Sequence, residues 1–277
     1  MALASAFFFG AMSVALRMAL DRDPDVALAT LATAGTALVV ALVAAAAEAP
    51  ARGLHLSSAW PFLLAGLLSP GAAQIFVTIA IRESGSSRVS MVFGTAPLVS
   101  VTIALVFLNE PASAPLIVGA VLIVTGGVLL ARERERPAHL NRLGLVFAFV
   151  GATLFAIRDN LVRHLAVGST AVPPAVAASA ALLSGTALVA VWARTGIGRR
   201  WLVFMPAGLL FGASYITLFE AYYRGRVTIV APLVAIESLF GVVLSALFLR
   251  GSESVGRRLF LCAALIVAGG VLIGIYR

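Results

Sequence analysis

Two stretches of this chain, Val89 to Leu108 and Ala112 to Ala131, each run twenty residues without a charged side chain. About 20 apolar residues span a bilayer as a helix, and helices in soluble cores rarely run that long without a charge. The rest of the chain agrees. Hydrophobic residues make up 61% of its 277 residues and charged residues 12%, where a soluble domain needs about 25% charged residues to cover its surface. Mean hydropathy is +1.05. Ten spans are expected, at roughly 2–20, 26–47, 60–81, 89–108, 112–131, 143–161, 171–193, 201–223, 227–249 and 259–276. Trp60, Trp192 and Trp201 fall at span ends, as an interfacial aromatic belt requires. The N-terminus lacks a basic leader region and reads as the first span.

The chain also repeats itself. Leu122-Ile-Val-Thr-Gly-Gly-Val-Leu-Leu130 returns as Leu265-Ile-Val-Ala-Gly-Gly-Val-Leu-Ile273, an offset of 265 − 122 = 143. Gly10-Ala-Met-Ser-Val-Ala-Leu-Arg17 returns as Gly151-Ala-Thr-Leu-Phe-Ala-Ile-Arg158, offset 141, and Ala65-Gly-Leu-Leu68 as Ala207-Gly-Leu-Leu210, offset 142. A near-constant offset marks a duplicated unit, the signature of transporters built from two related halves. The expected division is 1–131, a charged linker 132–142, and 143–277. Five spans per half is an odd number, so the second half enters the membrane from the opposite side. The expected fold is an all-α integral membrane protein whose ten transmembrane helices form two inverted five-helix repeats. Gly208 and Gly212, four residues apart, suit close helix packing.

The net charge is +8, and every basic residue other than histidine is arginine. These arginines stand singly between apolar runs. That pattern fits headgroups at helix ends and argues against nucleic acid. Connections on the side of the termini hold five arginines and those on the other side thirteen, with Arg17 and Arg158 left inside spans. By the positive-inside rule this count places both termini outside. The single cysteine, Cys262, excludes a disulfide framework and a multi-cysteine metal site. No phosphate-cradling Gly-x-x-x-x-Gly-Lys motif is present, so this chain does not itself use ATP. No cofactor or metal is expected.

The order of several motifs resembles the EamA-type family of the drug/metabolite transporter superfamily. Ser87-Arg-Val-Ser-Met-Val-Phe-Gly-Thr-Ala-Pro-Leu98 is followed by Phe107-Leu-Asn-Glu110, Gly119 and Leu122-Ile-Val-Thr-Gly-Gly127. In the second half come Ala231-Pro-Leu-Val-Ala-Ile-Glu-Ser238, Leu247-Phe-Leu249 and Leu265-Ile-Val-Ala-Gly269. The resemblance covers nearly the whole chain. It implies a secondary transporter, an exporter of small organic metabolites such as amino acids. Such a protein works by alternating access in the inner or plasma membrane, with both termini cytoplasmic. Its partners are a small-molecule substrate and the bilayer; monomer or homodimer is left open. Two positions depart from the pattern. Ser238 stands where the family often has proline after glutamate, so the second-half kink is expected to weaken or shift to Pro232. The Leu-x-Glu end becomes Leu249-Arg-Gly-Ser-Glu253.

Ionisable residues inside spans are functional candidates by default. Glu237 lies mid-span and reads either as a proton- or cation-responsive group in a central cavity or as a structural carboxyl. Arg17 and Arg158 are repeat mates. They read either as a paired cationic site or as arginines snorkelling to nearby span ends. Asp159 follows Arg158, but adjacent helix residues point to different faces. Glu220 reads as a gate or an interfacial residue. The resemblance implies that the third, fourth, eighth and ninth helices line the cavity, which adds Gln74, Thr78, Ser90, Thr95 and Tyr215 as substrate-binding candidates beside Glu237. Each of these also reads as a helix–helix hydrogen bond. The alternative function is an intramembrane enzyme or a non-transporting membrane protein. Its best motif, Asp21-Arg-Asp-Pro-Asp25, stands alone in a short connection, where a metal–diphosphate site needs several carboxylates. No catalytic residues are assigned and no enzyme is expected.

Overall fold

The computed structural model describes residues 1–107, 114–131, 142–168, 172–196, 198–249 and 257–275. Glu110, Glu253 and the linker before Arg142 lie outside these residues. Among them every regular element is a helix and there is no strand. The first half contains α1 (Ala2–Arg22), α2 (Val26–Arg52), α3 (Trp60–Gly66), α4 (Ala73–Ser84), α5 (Ser86–Phe93), α6 (Ala96–Phe107) and α7 (Ala114–Ala131). The second contains α8 (Arg142–Gly168), α9 (Pro174–Ala193), α10 (Trp201–Arg224), α11 (Val227–Val234), α12 (Glu237–Phe248) and α13 (Arg257–Ile275). Six stretches are long and apolar enough to cross a membrane: α1, α2, α3 with α4, α8 to Val167, α9 and α10. The other expected spans are helical too, but two of them are broken in the middle.

Local chemistry sets the boundaries. The Asp25 carboxylate accepts a hydrogen bond from the Leu28 amide at 3.0 Å and caps α2. Helix α8 runs seven residues past the expected end at 161. Its polar C-terminal stretch stays helical because Asp159, Asn160 and Arg163 find partners on neighbouring helices. The third span is interrupted at Ser69, whose φ of −150° and ψ of 121° are extended, immediately before Pro70.

The fourth and ninth spans break at corresponding places. Residues 94–95 separate α5 from α6, and residues 235–236 separate α11 from α12. The offset is again 141. In the first half Pro97 follows the break. In the second half Ser238 occupies the matching position, and its hydroxyl donates to the Ala235 carbonyl at 2.8 Å. The expected shift of the kink to Pro232 does not occur. Serine supports the break in proline's place.

Packing follows the repeat. Helix α1 packs on α10, and α8 on α4; α2 packs on α10, and α9 on α3; α2 meets α9, and α7 meets α13. Exchanging the halves returns the same set. The α2–α10 contact needs glycine. A Cβ on Gly208 would lie 2.9 Å from the Thr33 carbonyl oxygen, and one on Gly212 would lie 2.7 Å from the Val40 Cβ. Polar ties fix both ends of this helix pair. At one end Arg200 donates to Asp23 at 2.7 Å and to Asp25 at 3.3 Å. At the other, Glu220 lies between Arg52 at 3.0 Å and Arg224 at 2.8 Å. Helices α2 and α10 therefore run parallel.

The hydrogen bond from Arg200 holds the Asp23 carboxyl below its ordinary value. The unfolded chain thus binds more protons at this site than the folded one below about pH 4. The tie contributes fully above the ordinary carboxylate range and is lost as pH falls through the depressed value. Thermal unfolding in detergent should lose stability more steeply below about pH 4 in the native protein than in Asp23→Asn. Equal acid slopes in the two proteins would contradict this role for Asp23.

Candidate functional site

Three buried charged residues, Arg158, Asp159 and Glu237, gather where the broken helices meet α1, α8 and α10. Phe9 of α1, Phe93 at the end of α5, Phe155 of α8 and Phe211 of α10 form an aromatic cluster. Ring centroids are 5.4 Å apart for Phe9 and Phe93, 5.4 Å for Phe93 and Phe155, and 6.2 Å for Phe9 and Phe211. Beside them a narrow cavity of about 40 Å³ is also lined by Ser5, Ser100, Arg158, Asp159, Tyr215 and Glu237. It has room for a few water molecules and not for an organic solute. A larger groove of about 560 Å³ between α2, α3 and α9 carries only apolar side chains and Ser179. Size favours the groove, but of these two only the central cavity brings charges together. A further pocket of about 490 Å³ holds the Arg52, Glu220 and Arg224 ion pairs at the end of α10.

Arg158 is fully buried. It lies ten residues before the end of α8, so the snorkelling reading does not hold. Its guanidinium carbon sits 4.7 Å from the Tyr215 ring centroid, 5.1 Å from Phe155 and 5.8 Å from Phe219. Ring faces attract the cation without consuming its N–H groups. Nε lies 3.1 Å from Asp159 Oδ1, yet none of the three guanidinium nitrogens makes a hydrogen bond among the described residues. The expectation that Asp159 points elsewhere is therefore corrected: the long arginine stem lets adjacent residues meet. Tyr222 donates its hydroxyl hydrogen to Asp159 Oδ2 at 2.8 Å and fixes that carboxylate. Tyr215 donates to the Ser69 carbonyl, which the break in the third span exposes. Glu237, 5% exposed, is the first residue of α12 and lies within electrostatic reach of Arg158 and Asp159.

Of the residues singled out from sequence, Glu237, Tyr215 and Arg158 converge on this cavity. Gln74 and Thr78 are fully buried in α4 and are not among the residues lining it; the Gln74 side-chain amide has no hydrogen-bond partner among the described residues. Ser90 packs its hydroxyl against Gly241 of α12. Thr95 sits at the break and donates to the Val92 carbonyl at 2.7 Å. Sequence reasoning passed over Tyr222, Ser5, Ser100 and the four phenylalanines. Their burial follows from the tertiary fold, and no local pattern marks them.

Arg17 does not pair with Arg158. It donates to the carbonyls of Ile81 at 3.3 Å and Arg82 at 2.8 Å, which holds the end of α4. In the second half the matching carbonyls, Tyr222 and Tyr223 (81 + 141 and 82 + 141), accept from Arg163 at 2.9 and 3.5 Å. The same task is done in both halves, but by an arginine five residues further along α8. Arg158 is thereby released from the role its repeat mate performs. Asp21 pairs with Arg17 at 3.1 Å, and Asp23 and Asp25 pair with Arg200. The acidic motif of the first connection is thus engaged in structural ion pairs.

Six membrane-length apolar stretches among the described residues and a charged cavity lined by two broken helices together with α1, α8 and α10 define a multi-pass membrane protein of the transporter type. The model of the EamA-like transporter family matches residues 1–132 and 142–275, and the chain belongs to that family, within the drug/metabolite transporter superfamily. One solved crystal structure, described only as that of a protein, shares the fold. Its TM-score is 0.69 at 21% identity, over 98% of this chain and 95% of that one. No curated protein matches the chain.

If Arg163 holds the end of α10, Arg163→Met should speed amide exchange across residues 221–226, read by mass spectrometry. Hydrogen bonds to charged groups contribute roughly 1.5–3 kcal/mol, so about tenfold or more is expected. Arg17→Met should do the same at residues 80–85, and Arg158→Met at neither place.

Proposed function

We propose that the protein is a secondary transporter that exports small organic metabolites, amino acids or related compounds, by alternating access. Ten spans in two inverted halves of five, joined by the 132–142 linker, would supply the two exchangeable states. The observation that carries this reading is the pair of helix breaks at 94–95 and 235–236, matched by the repeat and flanking buried charges. Interrupted helices in corresponding positions of two halves are the best pointer to a transporter's binding site. The packing set, unchanged when the halves are exchanged, supports a two-fold relation between them. The family supports transport as the activity and a membrane of the cell as its place; the inner or plasma membrane is proposed.

The cavity bounds the mechanism. At about 40 Å³ it is closed to a metabolite, so loading requires its walls to part. Glu237 is the proposed coupling residue. It shares the cavity with Arg158 and Asp159 of α8 and Tyr215 of α10 and lies within electrostatic reach of Tyr222. A proton exchanged at Glu237 alters the charge balance of that cluster and with it the affinity for a charged solute. Purified protein in liposomes, tested with a substrate panel under an imposed pH gradient, should transport in a pH-dependent way. Glu237→Gln should abolish the pH dependence while leaving exchange at fixed pH. Unchanged pH dependence in that variant would remove Glu237 from coupling.

A further inference from the structure

We propose that the Arg158 guanidinium is the docking point for a substrate carboxylate, and that Asp159 is its built-in competitor, displaced when the substrate arrives. This deepens the transport reading above and rests on it for the word substrate; the anion site itself stands on geometry.

A guanidinium carries five N–H donors in a fixed fork, and burying such groups without acceptors is costly. At Arg158 the ring faces of Tyr215, Phe155 and Phe219 take the charge, and Asp159 approaches Nε alone. Nη1 and Nη2 have no acceptor among the described residues. They are the pair that a two-oxygen anion meets in parallel. Arg158 also lines the cavity, together with Asp159 and Glu237. The structural duty of its repeat mate has passed to Arg163. Among the described residues no backbone carbonyl accepts a hydrogen bond from Arg158, as those of Ile81 and Arg82 do from Arg17.

Asp159 fits the competitor's part. Tyr222 anchors Oδ2, so the carboxylate keeps a partner after it leaves Arg158, and Oδ1 has no hydrogen bond to lose. The shape of the anion follows from charge. The single guanidinium already faces two acids, Asp159 and Glu237. A carboxylate brings one further negative charge; a phosphate monoester brings nearly two. The apolar remainder of the solute would lie among Phe9, Phe93, Phe155 and Phe211, next to Arg158.

The test uses the full-length protein in lipid nanodiscs and measures equilibrium binding of matched series. Two series share one apolar skeleton as carboxylate, amide, amine and phosphate monoester, phenylacetate with its analogues and hexanoate with its analogues; in a third, phenylalanine is paired with its amide. In at least one series the acid should bind at least tenfold more tightly than its amide. Arg158→Gln should erase that preference, and Asp159→Asn, which keeps an acceptor for Tyr222, should tighten acid binding several-fold. The proposal is overturned if no acid exceeds its amide, if the amine or the phosphate is preferred, or if Arg158→Gln retains the preference. The wild-type series decides alone should either variant fail to fold. Liposome counterflow with the same compounds separates the two readings. Acids that bind but never cross would end the transport reading and leave the anion site. Transport of amines with no acid binding would do the reverse.

Discussion

The central cavity of this molecule is organised around the guanidinium of Arg158, which solvent does not reach. Arg158 in hydrocarbon must be met by protein, because the alternative costs several kcal/mol at least. Three aromatic faces and the Asp159 carboxylate meet it. That requirement propagates outward. Asp159 needs Tyr222, which places the second half of α10 against α8. Tyr215, one face of the cation's cage, needs an acceptor of its own and finds the Ser69 carbonyl. The carbonyl is available because the third span leaves helical geometry at that residue. A break in the first half and a charge in the second are thus parts of one network, and neither is explained by its own helix.

Duplication made this division possible. The two halves keep a common scaffold, seen in the matched breaks and the reciprocal packing. They do not keep a common chemistry. By the offset of 141, Asp159 corresponds to Met18, Tyr222 to Ile81, Glu237 to Ala96 and Tyr215 to Gln74. The ionisable groups of the cavity all come from the second half, while the first half contributes Ser5, Phe9, Phe93, Ala96 and Ser100. The arginine clamp shows how such asymmetry arises. Once Arg163 holds the end of α10, position 158 can change its role without loosening the fold.

Much of the scaffold was legible in the sequence because its signals are periodic or repeated. Charge-free runs announced helices, and a constant offset announced the halves. The site was legible only in part. Glu237 and Arg158 stood out because ionisable residues in apolar runs are rare. Arg17 looked equivalent to Arg158, yet the two serve different ends. What separates them is the position of Arg163, and only packing shows which arginine reaches the carbonyls. Asp159 was misjudged for a related reason. Helical geometry directs the Cα–Cβ bonds of neighbours apart, but an arginine stem is long enough to fold back across its own ring-lined pocket. The phenylalanines carried no signal, being ordinary members of apolar runs until the fold brings four helical segments together.

The distribution of polar ties also separates rigid from yielding parts. Helices α2 and α10 are pinned by ion pairs at both ends and lie in close contact through Gly208 and Gly212 between them. The cavity walls on the other side are different. Edge-to-face ring pairs contribute only about 0.5–1.5 kcal/mol each beyond burial, and in lipid no hydrophobic force opposes their separation. The spans made of α5 with α6 and of α11 with α12 are moreover already kinked, joined across the break by short-turn bonds such as Thr95 N–H to the Val92 carbonyl and Ser238 N–H to the Ala235 carbonyl. If the cavity of about 40 Å³ admits a solute as proposed, it would widen by moving the broken helices against the α2–α10 pair. Glu237 begins one of those half-helices, while Arg158 and Asp159 belong to α8. Any such movement changes the distance between the acid and the ion pair, which links the opening of the cavity to its charge.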